Sequence, residues 1–257
     1  MYDYFLGGSH NFAADRALAE EYMRVLPDMP AISRANRHFL GRAVRFLAQE
    51  AGIDQFLDLG SGLPTQGNVH ETARRINPRA RVVYVDVDPV TVEFARTLLD
   101  GTDGVEVLNA DLRDPQAVLG SDEVARCLDL SRPVAVLMVA TLHFVPDQDD
   151  PAALVAAYRA AGAPGSYLAI SHATSDYHPK TMDEAAQVYS AASRGMNFRT
   201  RDQIAGLLAG YELIAPGLAD VIRWRPQPED QDPFDGDVTR YNLLAAVARR
   251  TDEIRSP

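Results

Sequence analysis

A chain of 257 residues, 46% of them hydrophobic, holds enough apolar material for one large α/β domain. Its formal net charge is −11, Lys180 is its only lysine, and its arginines form no cluster; this argues against a nucleic-acid partner, because binding phosphates needs concentrated basic charge. The single cysteine, Cys127, excludes an internal disulfide and a multi-cysteine metal centre, and no apolar run reaches the ~18 residues of a membrane span.

The opening stretch MYDYFLGGSHNF has neither the basic start nor the apolar run of a secretion signal, so a cytoplasmic protein is expected. Residues 1–51 read as a helical cap and residues 52–250 as the core of the same domain. In the cap, Phe39, Leu40, Ala43, Phe46 and Leu47 recur at helical spacing, which predicts a helix over Ala35–Ala51. Three short, non-alternating apolar runs predict parallel strands covered on both faces: Gln55–Leu59, Arg81–Val85 and Pro133–Ala140. Weaker patterns predict strands over Val105–Leu108, Ser166–Ser171, Tyr211–Ala215 and Tyr241–Val247. Helices are expected between them at Val90–Leu99, behind Pro89, and at Pro151–Ala161 and Arg201–Leu208. Alternating strands and helices predict a doubly wound, mostly parallel sheet. Arg225–Asp237, rich in Pro, Asp and Glu, reads as a surface loop.

The chemistry-bearing motifs all fall just after predicted strands. In Phe56-Leu57-Asp58-Leu59-Gly60-Ser61-Gly62-Leu63-Pro64 a buried strand runs into a glycine turn, where the backbone is free to bend tightly and a ligand can approach closely. The dinucleotide fingerprint wants a third glycine where Thr65 stands, so the match to it is poor; a plain βα turn with two glycines is the competing reading. In Val83-Tyr84-Val85-Asp86-Val87-Asp88-Pro89, Asp86 sits at the strand tip, where a carboxylate can accept from both hydroxyls of a ribose. A merely solvated strand end is its alternative, and Asp88 suits a helix cap. In Asn109-Ala110-Asp111-Leu112, Asp111 can accept from the exocyclic amine of adenine while the backbone N–H of Leu112 meets the ring; a solvated loop acid is the alternative. In Val139-Ala140-Thr141-Leu142-His143-Phe144, residues Ala140 to His143 border the carboxyl end of a strand, where open α/β sheets bind ligands.

The acid two places before the first glycine, Asp58, makes this turn resemble motif I of class I methyltransferases, in which the acid helps to receive the amino group of S-adenosylmethionine. The segments Tyr2-Asp3-Tyr4-Phe5-Leu6-Gly7-Gly8, Asn11-Phe12-Ala13-Ala14-Asp15-Arg16, Arg34-Ala35-Asn36-Arg37, Asn68-Val69-His70-Glu71 and Leu142-His143-Phe144-Val145-Pro146-Asp147 extend the likeness. They resemble a bacterial family once labelled a domain of unknown function and now grouped with S-adenosylmethionine methyltransferases. The family pattern opens at this chain's first residues, which implies a few residues ahead of them. The resemblance implies the Rossmann-like class I fold with seven strands, Tyr241–Val247 supplying the reversed last one, and an N-terminal helical lid. The implied cofactor is S-adenosylmethionine, with Tyr4, Gly8, Asp58, Gly60, Ser61, Gly62, Asp86, Val87, Asp111, Leu112, Ala140 and Thr141 as its candidate ligands.

The expected reaction is methyl transfer to the oxygen or nitrogen of a small molecule, with secondary metabolism as a setting. Such a displacement needs mainly alignment of the reacting atoms; a general base helps when the acceptor must lose a proton early. His143 is the leading candidate and His172, at the end of the next strand, the second; packing roles are open for both. Tyr177 and His178 are candidates to line the acceptor pocket. Arg37 either reaches the cofactor carboxylate or is an ordinary exposed helix charge, and the segment around Tyr4, Gly8, Asn11 and Phe12 either folds over the cofactor or simply packs on the sheet. The rival readings are an S-adenosylmethionine-binding protein without turnover and a nicotinamide-dependent oxidoreductase, which has no reason to keep Asp111.

Overall fold

In the computed structural model, which describes residues 1–64, 67–190 and 195–251, the chain opens with α1 (Tyr2–Phe5), α2 (Ala13–Val25) and α3 (Met29–Gln49). Pro30 lies in the first turn of α3, so the helix begins a turn and a half before the predicted Ala35. The core follows: β1 (Gln55–Leu59), α4 (Val69–Arg74), β2 (Arg81–Asp86), α5 (Pro89–Leu99), β3 (Val105–Asn109), α6 (Pro115–Leu119), α7 (Asp122–Cys127) and β4 (Ala135–Val139). The chain closes with α8 (Pro151–Ala161), β5 (Tyr167–Ala173), α9 (Pro179–Ser190), α10 (Arg201–Leu207), β6 (Tyr211–Leu213), β7 (Ala219–Asp220) and β8 (Leu243–Arg250). No helix among the described residues is long and apolar enough to cross a membrane.

The strands lie in the order β3-β2-β1-β4-β5-β8-β6, with β7 also paired to β8. The five strands β1 to β5 pair in parallel with one another, and β8 runs antiparallel to β5, from Tyr167 opposite Arg249 to Ala173 opposite Leu243. The Rossmann-like class I arrangement with a reversed last strand is therefore present. It has eight strands rather than seven, because the predicted Tyr211–Ala215 strand stops at Leu213 and the edge of β8 is taken up again by β7. Pro216 has no N–H to give the ladder, and Gly217 turns the chain away at φ 89°.

Side chains of successive residues leave the sheet on opposite faces, and each face is sealed by helices. Phe56 belongs to the core under α3, while its neighbours Leu57 and Leu59 belong to the core under α8 and α10. Strand order reverses between β1 and β4, so their carboxyl ends diverge into a cleft at that point.

The long segment after β7 is pinned to α3. Trp224 is fully buried, edge-on to Phe39 at 5.4 Å and to Phe46 at 6.0 Å. Beside it the buried Arg42 donates from Nε to the Trp224 carbonyl at 2.8 Å, from Nη2 to the Val221 carbonyl at 2.6 Å and from Nη1 to the Asp230 carboxylate. Truncation orphans two carbonyls and a carboxylate at once, so Arg42→Ala is expected to lower the unfolding free energy by roughly 2–4 kcal/mol. Arg45→Ala, which removes an exposed arginine 3.8 Å from Glu229, is expected to cost under ~0.5 kcal/mol. Denaturant titration of both variants checks this; equal losses would show that Arg42 is not a clamp.

Candidate functional site

The cleft is floored by the turn after β1. Gly60 (φ 73°) and Gly62 (φ 62°) both occupy the left-handed region, and the N–H groups of Gly60 and Ser61 converge on the Val85 carbonyl at 2.8 and 3.0 Å. A Cβ on Gly60 would stand 2.2 Å from Thr141 Cγ2, so the turns after β1 and β4 approach at a distance that only glycine permits. Leu112 Cδ2 lies 3.9 Å from the same point.

Two buried or half-buried acids flank this turn. The Gly62 N–H donates to Asp86 Oδ2 at 2.8 Å and the Asp88 N–H donates to Oδ1 at 3.0 Å, so the Asp86 carboxylate faces the glycine turn. Burial raises its pKa above the ordinary carboxylate range. Val87 is exposed beside it. Asp88 caps α5, accepting from Val90 N. Asp58 is buried within β1, and that burial pushes its carboxyl up to about 7; Asp86 adds to the rise, while Arg37 opposes it.

Arg37 is not an ordinary exposed helix charge. It is half-buried, donates from Nη2 to the Leu63 carbonyl at 3.3 Å, and its buried Nε has no hydrogen-bond partner among the described residues. Asp111 is held from within its own loop. Arg113 contacts both carboxylate oxygens, with Nη2 2.6 Å from Oδ2, and reaches Asp149 with Nη1 at 2.8 Å. The Leu112 carbonyl accepts from the Tyr158 hydroxyl at 2.8 Å.

At the end of β4, Ala140 adopts φ 57°, uncommon for any residue with a Cβ, and its N–H donates to both the carbonyl and the hydroxyl of Ser171. Thr141 and His143 follow, each 5% exposed; Thr141 Oγ1 and His143 Nδ1 are buried without partners among the described residues. The His143 ring lies 4.5 Å from Phe144 and edge-on to His172 at 5.5 Å. Burial drives its pKa well below the usual value, and His172 and Arg199 add to the fall.

His172 has both ring nitrogens engaged, Nδ1 2.7 Å from the Ala173 carbonyl and Nε2 2.9 Å from Arg199 Nη1. A guanidinium only donates, so Nε2 is the accepting nitrogen and Nδ1 carries the hydrogen. Burial is the main cause of a pKa lowered to about 4. Arg199 carries no motif around it, and sequence reading did not single it out. It is buried and donates to the Leu142 and Val145 carbonyls, to His172 and, through Nε and Nη2, to Asp147, so every N–H of the guanidinium is used. It thereby fixes the stretch that carries His143, while Asn197 N–H donates to the His143 carbonyl at 2.7 Å.

The Tyr4 hydroxyl meets Glu20 on α2 at 3.3 Å. Gly8 lets the first loop close, since a Cβ there would strike the Asp3 carboxylate, which accepts from His10 N and Asn11 Nδ2, each at 2.8 Å. His10 packs on Phe94 of α5 with ring centres 5.0 Å apart, carrying the cap across to the β2 side of the cleft. Phe12 is 67% exposed. The Tyr177 hydroxyl bonds Asp220 at 2.5 Å.

A glycine turn without room for a Cβ at Gly60, acids near the ends of β1 and β2, and polar atoms on Arg37, Thr141 and His143 without partners among the described residues fit an adenosyl amino acid with charged and hydroxyl groups. The sequence profile of the S-adenosyl methyltransferase family matches residues 1–251. A DUF574 family protein from Streptomyces avermitilis is 38% identical, with a TM-score of 0.93 over 97% of this chain and 95% of that one. A provisionally assigned methyltransferase from Thermobifida fusca is 40% identical, with a TM-score of 0.91 over 97% and 93%. The 1,6-didemethyltoxoflavin-N1-methyltransferase of Burkholderia thailandensis, solved with 1,6-didemethyltoxoflavin and S-adenosylhomocysteine, is 18% identical and shares the fold, with a TM-score of 0.53 over 95% and 93%. No curated protein matches the chain. The chain belongs to the S-adenosyl methyltransferase family, with the class I fold and S-adenosylmethionine as its cofactor.

Proposed function

We propose that this protein transfers the methyl group of S-adenosylmethionine to an oxygen or nitrogen of a small molecule, at the carboxyl ends of β1 and β4. The observation that carries this reading is the pair of buried polar atoms Thr141 Oγ1 and His143 Nδ1, without partners among the described residues, on the turn that packs against Gly60. A buried polar atom without a partner costs about 1–3 kcal/mol, a cost that a bound ligand removes. When bound, the cofactor supplies an electrophilic methyl group on a sulfonium.

In this reading Gly60, Ser61 and Gly62 admit the amino-acid part of the cofactor. Asp58 receives its ammonium through the turn, and Arg37 its carboxylate. Asp86 exchanges the Gly62 N–H for the ribose hydroxyls, and Val87 and Leu112 enclose the adenine. Asp111 accepts the adenine amine. Ala140 and Thr141 border the methyl group, and the loop closed by Gly8 carries Tyr4 and the cap over it. Residues 1–51 and 52–250 act as one domain, and the acidic surface favours a small, cytoplasmic acceptor over a polyanion. His143 serves as acceptor-side base. His172 is a positioning residue instead, because its only lone pair is spent on Arg199.

Three outcomes follow from these assignments. Gly60→Ala, whose added Cβ would overlap Thr141, and Asp86→Ala, which removes hydrogen bonds to a charged group worth ~1.5–3 kcal/mol each, are each expected to weaken S-adenosylmethionine binding at least tenfold in calorimetry. Unchanged affinity in both would displace the site. Asp58 titrates near 7 in the free protein and must be ionised to hold an ammonium, so binding releases a proton below that pH. Affinity should fall by up to about tenfold per unit as pH drops below 7 and level off above it. In Asp58→Asn that slope should vanish, and a slope that survives would remove Asp58 from the role. Finally, His143→Gln should leave cofactor affinity within about threefold yet slow single-turnover transfer by ~10²-fold or more once an acceptor is in hand. Full transfer rate in that variant would rule out a base at His143, and binding with no transfer to a broad acceptor panel would favour a binding protein without turnover.

A further inference from the structure

A chain of hydrogen bonds crosses the interior from the strained turn of β4 to the first helix. Ala140 N–H donates to Ser171 Oγ at 2.9 Å, and the Ser171 hydroxyl donates to Asn36 Oδ1 at 2.6 Å. Asn36 Nδ2 donates to the Tyr2 hydroxyl at 2.8 Å, which donates to the Ser33 carbonyl at 3.1 Å. Ser171 is fully buried, and Ser33 and Asn36 nearly so. Tyr2 is 36% exposed as a residue, while its hydroxyl is engaged on both sides in this chain of bonds. Four elements therefore share one polar thread: α1, α3, β5 and the end of β4. Donors aligned head to tail polarise one another, so loss of one link weakens the rest.

Both ends of the thread need it. Ala140 holds a left-handed backbone that costs on the order of 1–3 kcal/mol unless its surroundings impose it. At the other end α1 is a single turn of four residues, too short to be stable by itself. Besides Tyr2 it is fastened by Phe5, 6.2 Å from the Tyr22 ring.

We propose that Tyr2, Asn36 and Ser171 are positioning residues for the cofactor site: their hydrogen-bond chain couples the N-terminal helix to the Ala140–Thr141 turn, so that the segment over the cleft and the border of the cleft order together. The proposal rests on the reading that this turn borders the cofactor. Binding at the turn then steadies α1, and seating of α1 prepares the turn, by the reciprocity that any coupling between two sites obeys.

Tyr2→Phe keeps the ring and deletes only the hydroxyl, so it tests the thread without emptying the core; Ser171→Ala cuts the thread at the other end. The measurements, on the full chain, are S-adenosylhomocysteine affinity by calorimetry and amide hydrogen exchange of peptides covering residues 1–12 and 136–145 in the free protein. Tyr2→Phe should weaken binding about tenfold, a loss of ~1.4 kcal/mol, and speed exchange in 136–145, which Tyr2 does not touch. Ser171→Ala should speed exchange in 1–12, and the double variant should bind no more weakly than the worse single one. Unaltered exchange and affinity in Tyr2→Phe, or losses that multiply in the double variant, would overturn the coupling. Gly60→Ala separates the two levels: if it abolishes binding while Tyr2→Phe is silent, the coupling alone fails, and if it too is silent, the placement of the site fails.

Discussion

Everything at the site depends on how closely two turns meet. The topology sets β1 beside β4, and a Cβ on residue 60 would overlap the methyl group of Thr141. Because position 60 is glycine, the chain can turn at φ 73° directly behind the strand, and its next N–H groups fall on the end of β2. That in turn places the Gly62 N–H on the Asp86 carboxylate. One steric constraint thus arranges the ends of three strands. It also explains why the missing third glycine of the dinucleotide fingerprint is no defect: the contact that needs a bare Cα is with β4, not with a helix packed behind the turn.

The pattern of satisfied and unsatisfied polar groups marks the same place from another direction. Arg199 and Arg42 are buried cations, and each is matched by carbonyls and a carboxylate. Around the glycine turn the matching stops. Arg37 Nε, Thr141 Oγ1, His143 Nδ1 and Asn68 Oδ1, on the cap of α4 just past the glycine loop, are buried without partners among the described residues. Ser33 Oγ, Trp224 Nε1 and Asn242 Oδ1 are likewise buried without partners among the described residues, so what marks the glycine turn is the grouping of four such atoms around it.

The strands and the motifs after them were legible because both are local. Apolar runs announce buried strands, and the residues after them fall by topology at the carboxyl edge. What escaped was non-local. Arg199 pairs with His172, Leu142 and Asp147, and no spacing rule connects those positions. The aromatic residue that the interior anchors is Tyr2, whereas Tyr4 turns to Glu20; the choice depends on where one short helix docks on α3. Arg37 followed helical periodicity, which cannot show that the glycine loop would fold over its flank. By contrast the pairing of Asp111 with Arg113, two residues on, is local, and only the default of reading a loop acid as solvated hides it in the sequence. The broken edge strand was likewise announced by Pro216.

On the proposed assignment of donor and acceptor sides, the electrostatics of the cleft differ in a way that suits methyl transfer. The proposed donor side holds Asp58 and Asp86, whose charged forms are penalised by burial and are therefore stabilised by an incoming cation. The proposed acceptor side holds His143, which burial keeps neutral and weakly basic. A weak base is adequate there, because an alcohol or amine becomes far more acidic as the methyl group arrives, so the proton moves late and downhill. A strong base would have no such advantage: protonated at neutral pH, it would bring a second positive charge beside the sulfonium. Low basicity at His143 and high proton affinity at Asp58 are thus two consequences of one cause, the exclusion of water from the junction of β1 and β4.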